Sequence, residues 1–503
     1  MQDRYDVVVV GGGSAGCALA ARLTEDPGRR VLLLEAGPDP HPLPELVADA
    51  TLQTRLLLES NFVEMYPTER KVDGSTFYSL AGRIMGGGSS VNVMAAPRPL
   101  KYDFDTWVAA GNPHWTYDHM LPVMKRVESD QDFPDSPIHG NHGPLYIKRP
   151  FLFSHPISEL ASAFINRALA VGLPLCPDLN EAEPEGICAS PYNIKNGQRQ
   201  STRVAYLDQV RGQPNLTIVA EAPALGLVLD GRRVTGVRYQ QHGKERTAVG
   251  DQVVLTAGVY HTPQLLMLSG IGPAADLERL GIRVVNGLAG VGQNYHDHAV
   301  VYMTFEGPTH FQEDWIVPRF RLLIKSDLSR PCPNFHIHMR PPTEVPGIKR
   351  MMPISLHLLE QHNRGRVTLA STDPHELPLV EALMLDDPDD VKAMADAMQF
   401  VYDLVQHPSM ERYYGPLLQP GPRDDWTEFA RKTHTSYHHG VGTCLMGPDD
   451  NPMTVVGEDL RVHGMNNLWV ADASIMPVVA HANTNLACIM IGEVAAERIK
   501  AAG

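Results

Sequence analysis

Near its start the chain carries an unbroken apolar run, Val7-Val8-Val9-Val10, which breaks into Gly11-Gly12-Gly13-Ser14-Ala15-Gly16 and then into a stretch with Ala18, Leu19, Ala21 and Leu23. That order predicts strand, tight turn, helix. A second apolar run, Val31-Leu32-Leu33-Leu34, predicts another strand and ends on Glu35. Strands are also expected at Val253-Val254-Leu255-Thr256-Ala257 and at Leu468-Trp469-Val470, each leading into a polar turn. Two later stretches, Asn334 to Met339 and Arg364 to Leu369, alternate apolar with polar residues. Alternation predicts strands with one buried face, hence an antiparallel sheet. From Asp389 to Val405, the residues Val391, Met394, Met398, Val401 and Leu404 recur at helical spacing, and this stripe is read as core.

The first glycines fall as Gly11-x-Gly13-x-x-Gly16, with Ser14 opening the helix. The first permits the turn, the second lets a pyrophosphate approach the backbone, and the third lets helix and strand pack closely. Phosphate then meets the helix N-terminus, where free N–H groups and the dipole favour negative charge. Glu35, nineteen residues after Gly16, can accept the ribose hydroxyls of an adenosine and repels a 2′-phosphate. A dinucleotide site follows, but this unit does not choose between FAD and NAD. Residues 81–94, Ala-Gly-Arg-Ile-Met-Gly-Gly-Gly-Ser-Ser-Val-Asn-Val-Met, are flanked closely by apolar residues, which suits a loop pressed against a large planar ligand better than a flexible linker.

With 503 residues, 43% hydrophobic and 20% charged, the chain is expected to fold as two or three lobes. A net charge of −15, spread along the chain, supplies no basic surface for nucleic acid. The six cysteines are scattered, so neither a disulfide framework nor a metal site is expected. No stretch reads as a signal peptide or a membrane span, and a cytoplasmic protein is expected.

The glycine motifs, together with Thr262-Pro263 through Gly272 and the segments Thr435 to Thr443 and Asp472 to Asn485, resemble the glucose–methanol–choline (GMC) oxidoreductases, FAD enzymes that oxidise alcohols. The resemblance spans Asp6 to about Arg498, and Met85 and Val259 are its small departures. Phrases such as Gly86 through Asn92 and Ala482 through Leu486 are most similar to those of bacterial members that oxidise hydroxymethylfurfural and aromatic primary alcohols. The fold implied is α/β: a discontinuous Rossmann-like FAD-binding domain from residues 1–145, 200–299 and 431–503, capped by an α+β substrate domain from 146–199 and 300–430 on an antiparallel sheet. The resemblance assigns FAD contacts to Gly11, Gly13, Ser14, Gly16, Glu35, Gly86, Ser90, Asn92, Ala224, Asp472 and Asn483. Some members attach FAD through a histidine directly after the Ser-Ser of the glycine loop. Val91 stands there in this chain, so non-covalent FAD is expected.

Flavin-linked alcohol oxidation needs a hydride acceptor, a base for the hydroxyl proton and hydrogen bonds for the developing alkoxide. Histidine suits the base, its ordinary pKa being about 6.5, but chemistry alone does not choose among 22 of them. The resemblance maps the base onto His439, before Gly440-Val441-Gly442-Thr443, and its partner onto Asn483, six residues after Pro477. His438 is then a pocket-wall residue, and His481 lines the pocket or faces the entrance; a shifted alignment would instead pair His439 with His481. His298, Tyr302, Phe335, His336, His338 and His357 in the cap are each better read as core or surface than as pocket. The activity implied is oxidation of a primary alcohol, aromatic or furanic, to the aldehyde and through its hydrate to the acid, with oxygen or a quinone-type carrier as electron acceptor. The alternatives are a choline or aliphatic alcohol dehydrogenase, a flavin-dependent lyase or photodecarboxylase, and a non-catalytic flavin protein. The sequence leaves the oligomeric state open.

Overall fold

In a computed structural model, residues 4–153, 158–307, 320–340, 342–343, 350–421 and 424–502 are described. Strand β1 (Arg4–Val10), helix α1 (Ser14–Leu23) and strand β2 (Val31–Leu34) form in the order the apolar pattern predicts. Val7 to Val10 lie in parallel register between Val31–Leu34 and Gln252–Leu255. All four valines are buried, because helices and loops cover both faces of a parallel sheet, and this is why the run does not alternate. The sheet continues past β2 to Leu216–Val219 and, on the other side, through Lys244–Leu255 to Leu468–Val470, all parallel. The amino-terminal half of Lys244–Leu255 bends away into an antiparallel meander with Arg233–Gln241 and Ala224–Asp230. α1 and the final helix, Asn485–Ala502, pack together against this sheet.

Among the described residues, the second sheet has eight strands. Their order is Leu417–Gln419, Ala299–Glu306, Met351–Leu358, Phe335–Met339, Phe320–Ile324, Gly186–Ala189 and Leu175–Cys176, with Thr435–Ser436 also paired to Ala299–Glu306. Every pairing is antiparallel except the last, between Leu175–Cys176 and Gly186–Ala189. Phe335, Ile337, Met339, Ile354 and Leu356 turn one face onto a core shared with helices Glu159–Ala170 and Pro388–Val405. That second helix carries the expected apolar stripe inward, and the Asp387 side chain caps it by accepting from Asp389 N.

Two expectations for this region change. The alternation at 334–339 does form a strand, but its polar residues are buried too: His336 is 1% and His338 3% exposed. They form the second face of the sheet together with Arg321, Ser355 and His357, and this face turns toward Tyr437 and Asn483 instead of solvent. Arg366–Thr368 pairs only with Leu379–Glu381, in a two-stranded unit outside the large sheet. Among the described residues, no helix is long and apolar enough to cross a membrane.

Candidate active site

A cavity of about 500 Å³ lies at the carboxyl ends of the parallel strands and extends to the polar face of the second sheet. Gly11, Gly13, Ser14, Glu35, Asn92, Ala224, Asp472, His439 and Asn483 line it. Gly16 does not: a Cβ there would stand 1.9 Å from Gly11 O, so its part is the close approach of α1 to the end of β1. The Glu35 carboxylate accepts from Gly12 N and Gly37 N, each at 2.7 Å, and so joins the glycine turn to the segment after β2. Burial raises its pKa, and the two N–H bonds oppose that rise. Asp472 accepts from Gly258 N at 2.9 Å, Thr262 Oγ1 at 2.7 Å and Ser474 N at 2.8 Å, tying the Leu468–Val470 strand to the start of helix Gly258–Leu268.

Within the second glycine cluster, Gly86 has φ +92° and donates its N–H to Gly12 O at 2.7 Å. Ser90 Oγ donates to Met85 O at 2.8 Å. Gly86 and Ser90, expected at the cofactor, therefore hold the loop in shape and lie off the cavity wall. Asn92 reaches the wall, with its Oδ1 accepting from Met94 N and from Arg199 Nη1, both at 2.9 Å. Ser14 Oγ donates to Asn485 Oδ1 at 2.8 Å, linking α1 to the last helix.

The residues present fit a dinucleotide. A Cβ on Gly13 would find only Thr256 O, at 3.9 Å, and one on Gly88 or Gly258 would find nothing within 4 Å. These three glycines leave open a cradle that side chains would fill, beside the amino terminus of α1.

At the other end of the cavity, the turn after Thr435–Ser436 presents His439. His438 adopts φ +64°, and His439 N donates to Asp297 Oδ1 at 2.9 Å, which fixes where the His439 ring projects. Asn483, just before the last helix, brings Nδ2 to 3.2 Å from His439 Nε2. On the opposite side of the ring, His439 Nδ1 meets His298 Nδ1 at 3.0 Å. Two facing imidazole nitrogens share one proton between donor and acceptor. An Asn483 N–H directed at Nε2 makes that nitrogen the acceptor, which puts the His439 proton on Nδ1 and leaves a lone pair at the cavity. Burial, then the neighbouring His298, His438 and Arg321, hold the His439 pKa well below the usual imidazole value, so the ring is neutral at pH 7.

Asp297 and His298 were not singled out for the site by sequence reasoning, the latter having been read as core or surface. Asp297 also accepts from His298 N and Ser436 Oγ, and burial pushes its carboxyl up to about 6. The polar run Tyr295-His296-Asp297-His298, directly ahead of an apolar strand, was the available signal. His438 is exposed within the cavity, its Nδ1 accepting from Leu80 N at 3.2 Å. Tyr437 also lines the cavity, its ring 4.2 Å from that of His439 and 4.0 Å from that of His357. His481, expected at the pocket, lies elsewhere: it is 1% exposed and its Nδ1 is 2.6 Å from Asp103 Oδ1. The short Ala480 to Ala482 stretch turns it behind the wall, where pairing with a buried carboxylate offsets its desolvation. Among the cap residues, Tyr302 reaches the cavity and Phe335 is core.

Family models described as GMC oxidoreductase match residues 5–300 and 361–492. An alcohol dehydrogenase (acceptor) from Pseudomonas putida is 33% identical, over 98% of this chain and 95% of its own. A choline oxidase from Arthrobacter globiformis is also 33% identical, over 100% of this chain and 95% of its own. Among solved structures, pyridoxine 4-oxidase from Mesorbium loti superposes with a TM-score of 0.90 at 28% identity, covering 98% of each chain. With the α/β fold, the dinucleotide cradle and these matches together, the chain belongs to the GMC oxidoreductases, FAD-dependent enzymes acting on CH–OH groups.

Proposed function

We propose that the protein oxidises aromatic or furanic primary alcohols to aldehydes, with His439 as the base, Asn483 as the hydrogen-bond donor to the reacting oxygen, and FAD held non-covalently. The observation that carries this reading is the 3.2 Å contact between Asn483 Nδ2 and His439 Nε2 at the cavity wall. An alcohol oxygen beside the pair, within reach of both and taking the place of their mutual bond, would give its proton to Nε2 and accept from Nδ2, so one group removes the proton while the other steadies the alkoxide. FAD, when bound, supplies the hydride acceptor. Glu35, Ala224 and the start of α1 would hold its adenosine and pyrophosphate end, and Asp472 and Asn92 line the same cavity as His439. Tyr437, His438 and Tyr302 give the reacting end of the cavity flat, partly polar walls suited to a planar ring. The relative named pyridoxine 4-oxidase acts, by its name, on an alcohol carried by an aromatic ring, which agrees with such walls. The hydrate of an aldehyde offers Nε2 a hydroxyl proton in the same way, so oxidation is expected to proceed to the acid.

The test is anaerobic mixing of the purified holoprotein with benzyl and furfuryl alcohols beside choline and long-chain aliphatics. Bleaching of the flavin by ring-bearing alcohols, and its loss in His439→Ala, is the expected result. Admitting air then separates an oxidase from an enzyme that needs another acceptor. Flavin that stays oxidised with every alcohol overturns the reading, and preferential bleaching by choline overturns its substrate class.

A further inference from the structure

Arg321 lies on the polar face of the second sheet and is 1% exposed. Among the described residues its guanidinium meets no carboxylate. Nε donates to Ser190 Oγ at 3.2 Å, and Nη1 donates to Asn483 Oδ1 at 3.3 Å and to His336 Nδ1 at 3.4 Å. Among the described residues, Nη2 is buried without a partner. A buried guanidinium ordinarily finds an acid. This one instead ends on the amide that faces the reacting oxygen.

The direction of that bond decides more than its length. Guanidinium nitrogens only donate, so the Asn483 atom turned toward Arg321 is the carbonyl Oδ1 and the amide NH2 is left facing His439. NH2 only donates in turn, so His439 Nε2 accepts and the ring proton resides on Nδ1, directed at His298 Nδ1. Turned the other way, the amide would place Oδ1 against Nε2 and select the tautomer that has no lone pair toward the alcohol. The donor-only guanidinium thereby orders the acceptors and donors as far as the base. Its charge, unmatched by an acid and removed from water, also favours negative charge on an oxygen bonded to Asn483 and opposes a cation nearby.

We propose that Arg321 is a positioning residue, which fixes the Asn483 amide with its NH2 toward His439 and sets the site against cationic alcohols. The inference rests on the alcohol-oxidising reading above and deepens it: the substrate is a neutral or anionic alcohol, not a quaternary ammonium one. The titratable and charged groups around His439 include Asp297 and His298 ahead of the Ala299–Glu306 strand, Tyr437 and His438 in its own turn, and Arg321 and His336 across the site, with Arg340 farther along the cavity wall beside Tyr302.

The experiment compares two isosteric alcohols, 4-tert-butylbenzyl alcohol and its 4-trimethylammonio counterpart, by anaerobic flavin reduction in the wild-type holoenzyme, Arg321→Met and Arg321→Lys. The wild type is expected to favour the neutral alcohol in kcat/KM by about tenfold or more. In Arg321→Met that preference falls toward unity, kcat drops by about 10- to 100-fold with FAD retained, and the acid limb of the pH profile moves upward, because a cation beside His439 has gone. Arg321→Lys restores part of the preference and of the limb, which a purely structural side chain would not do. Equal use of both alcohols by the wild type overturns the proposal while leaving alcohol oxidation standing, and so does an Arg321→Met enzyme that keeps both preference and limb. If Arg321→Met loses FAD, the wild-type preference and the Arg321→Lys profile decide. If neither alcohol bleaches the flavin, nor any other in the panel, the alcohol-oxidising reading falls and takes this inference with it.

Discussion

Asn483 Nδ2 stands 3.2 Å from His439 Nε2, though the two residues are 44 positions apart and are carried by different segments, a turn off the second sheet and the approach to the last helix. An amide can donate to an alkoxide without any change of charge, whereas a carboxylate in its place would repel it. Asn483→Asp is therefore expected to lower the rate of flavin reduction by about 100-fold or more. His439→Ala should lower it by about 10²- to 10⁴-fold. Stopped-flow reduction of the two variants checks this, with the visible spectrum showing that FAD is still bound.

The pH dependence should reflect a base that is already neutral. Burial and nearby histidines hold His439 well below its ordinary pKa of 6.5, so kcat/KM for flavin reduction should stay level through neutral pH and fall only on the acid side of 6.5. A profile of kcat/KM with an inflection at or above pH 7 would contradict this assignment.

Two glycines separate folding from cofactor binding. Gly16→Ala places a Cβ 1.9 Å from Gly11 O and should prevent α1 from seating, giving little folded protein. Gly88→Ala meets nothing within 4 Å, so it should fold with an apoprotein Tm near that of the wild type yet bind FAD more weakly, because the new methyl enters the cradle. Thermal melts with and without added FAD measure both effects.

Away from the cavity, His139 sits between Glu128 and Asp178 at 2.7 Å each, 3% exposed. Burial disfavours its charge, but the hydrogen bonds of Asp178 and Glu128 outweigh that and raise its pKa to about 9. The folded value lies above the unfolded 6.5, so the stability it contributes, about 3 kcal/mol, is fully present below pH 6.5 and is lost as pH rises through 9. Denaturant melts across that window should show the decline in the wild type and its absence in His139→Gln, which should be less stable at pH 6.

Val91 directly follows Ser90 in the glycine loop and offers no atom for bonding a flavin. Acid precipitation should therefore leave the yellow FAD in the supernatant. Colour retained in the pellet would show attachment through another residue.

How much was legible in the sequence follows from the range of the forces involved. The strand, turn and helix at 4–34 could be read because each rests on neighbours: β-branched valines, a glycine that needs φ +109° at position 11, and apolar positions that bury on both faces. The amphipathic helix Pro388–Val405 was readable for the same reason, one stripe against one core. The family resemblance implied His439 and Asn483 as a pair, and the structure brings the two side chains together. Other features come from partners distant in the chain. His336 and His338 alternate as on any half-exposed strand, and only the approach of the turn that carries Tyr437 and His439 makes their outer face an inner one. Gly86 and Ser90 lie in a cofactor motif, yet their bonds run to Met85 and Gly12, so the fold uses them to shape the loop. His481 is two residues from Asn483, but a backbone turn carries it to Asp103, 378 positions away. His298 stood out only as part of the polar run from Tyr295, and Arg321 had no local signal that set it apart, because the role of a polar side chain is fixed by the donor or acceptor it meets. Local sequence thus determined the elements and the chemistry on offer, while tertiary packing decided which nitrogen of which histidine faces the cavity, since hydrogen bonding acts over about 3 Å and depends on direction.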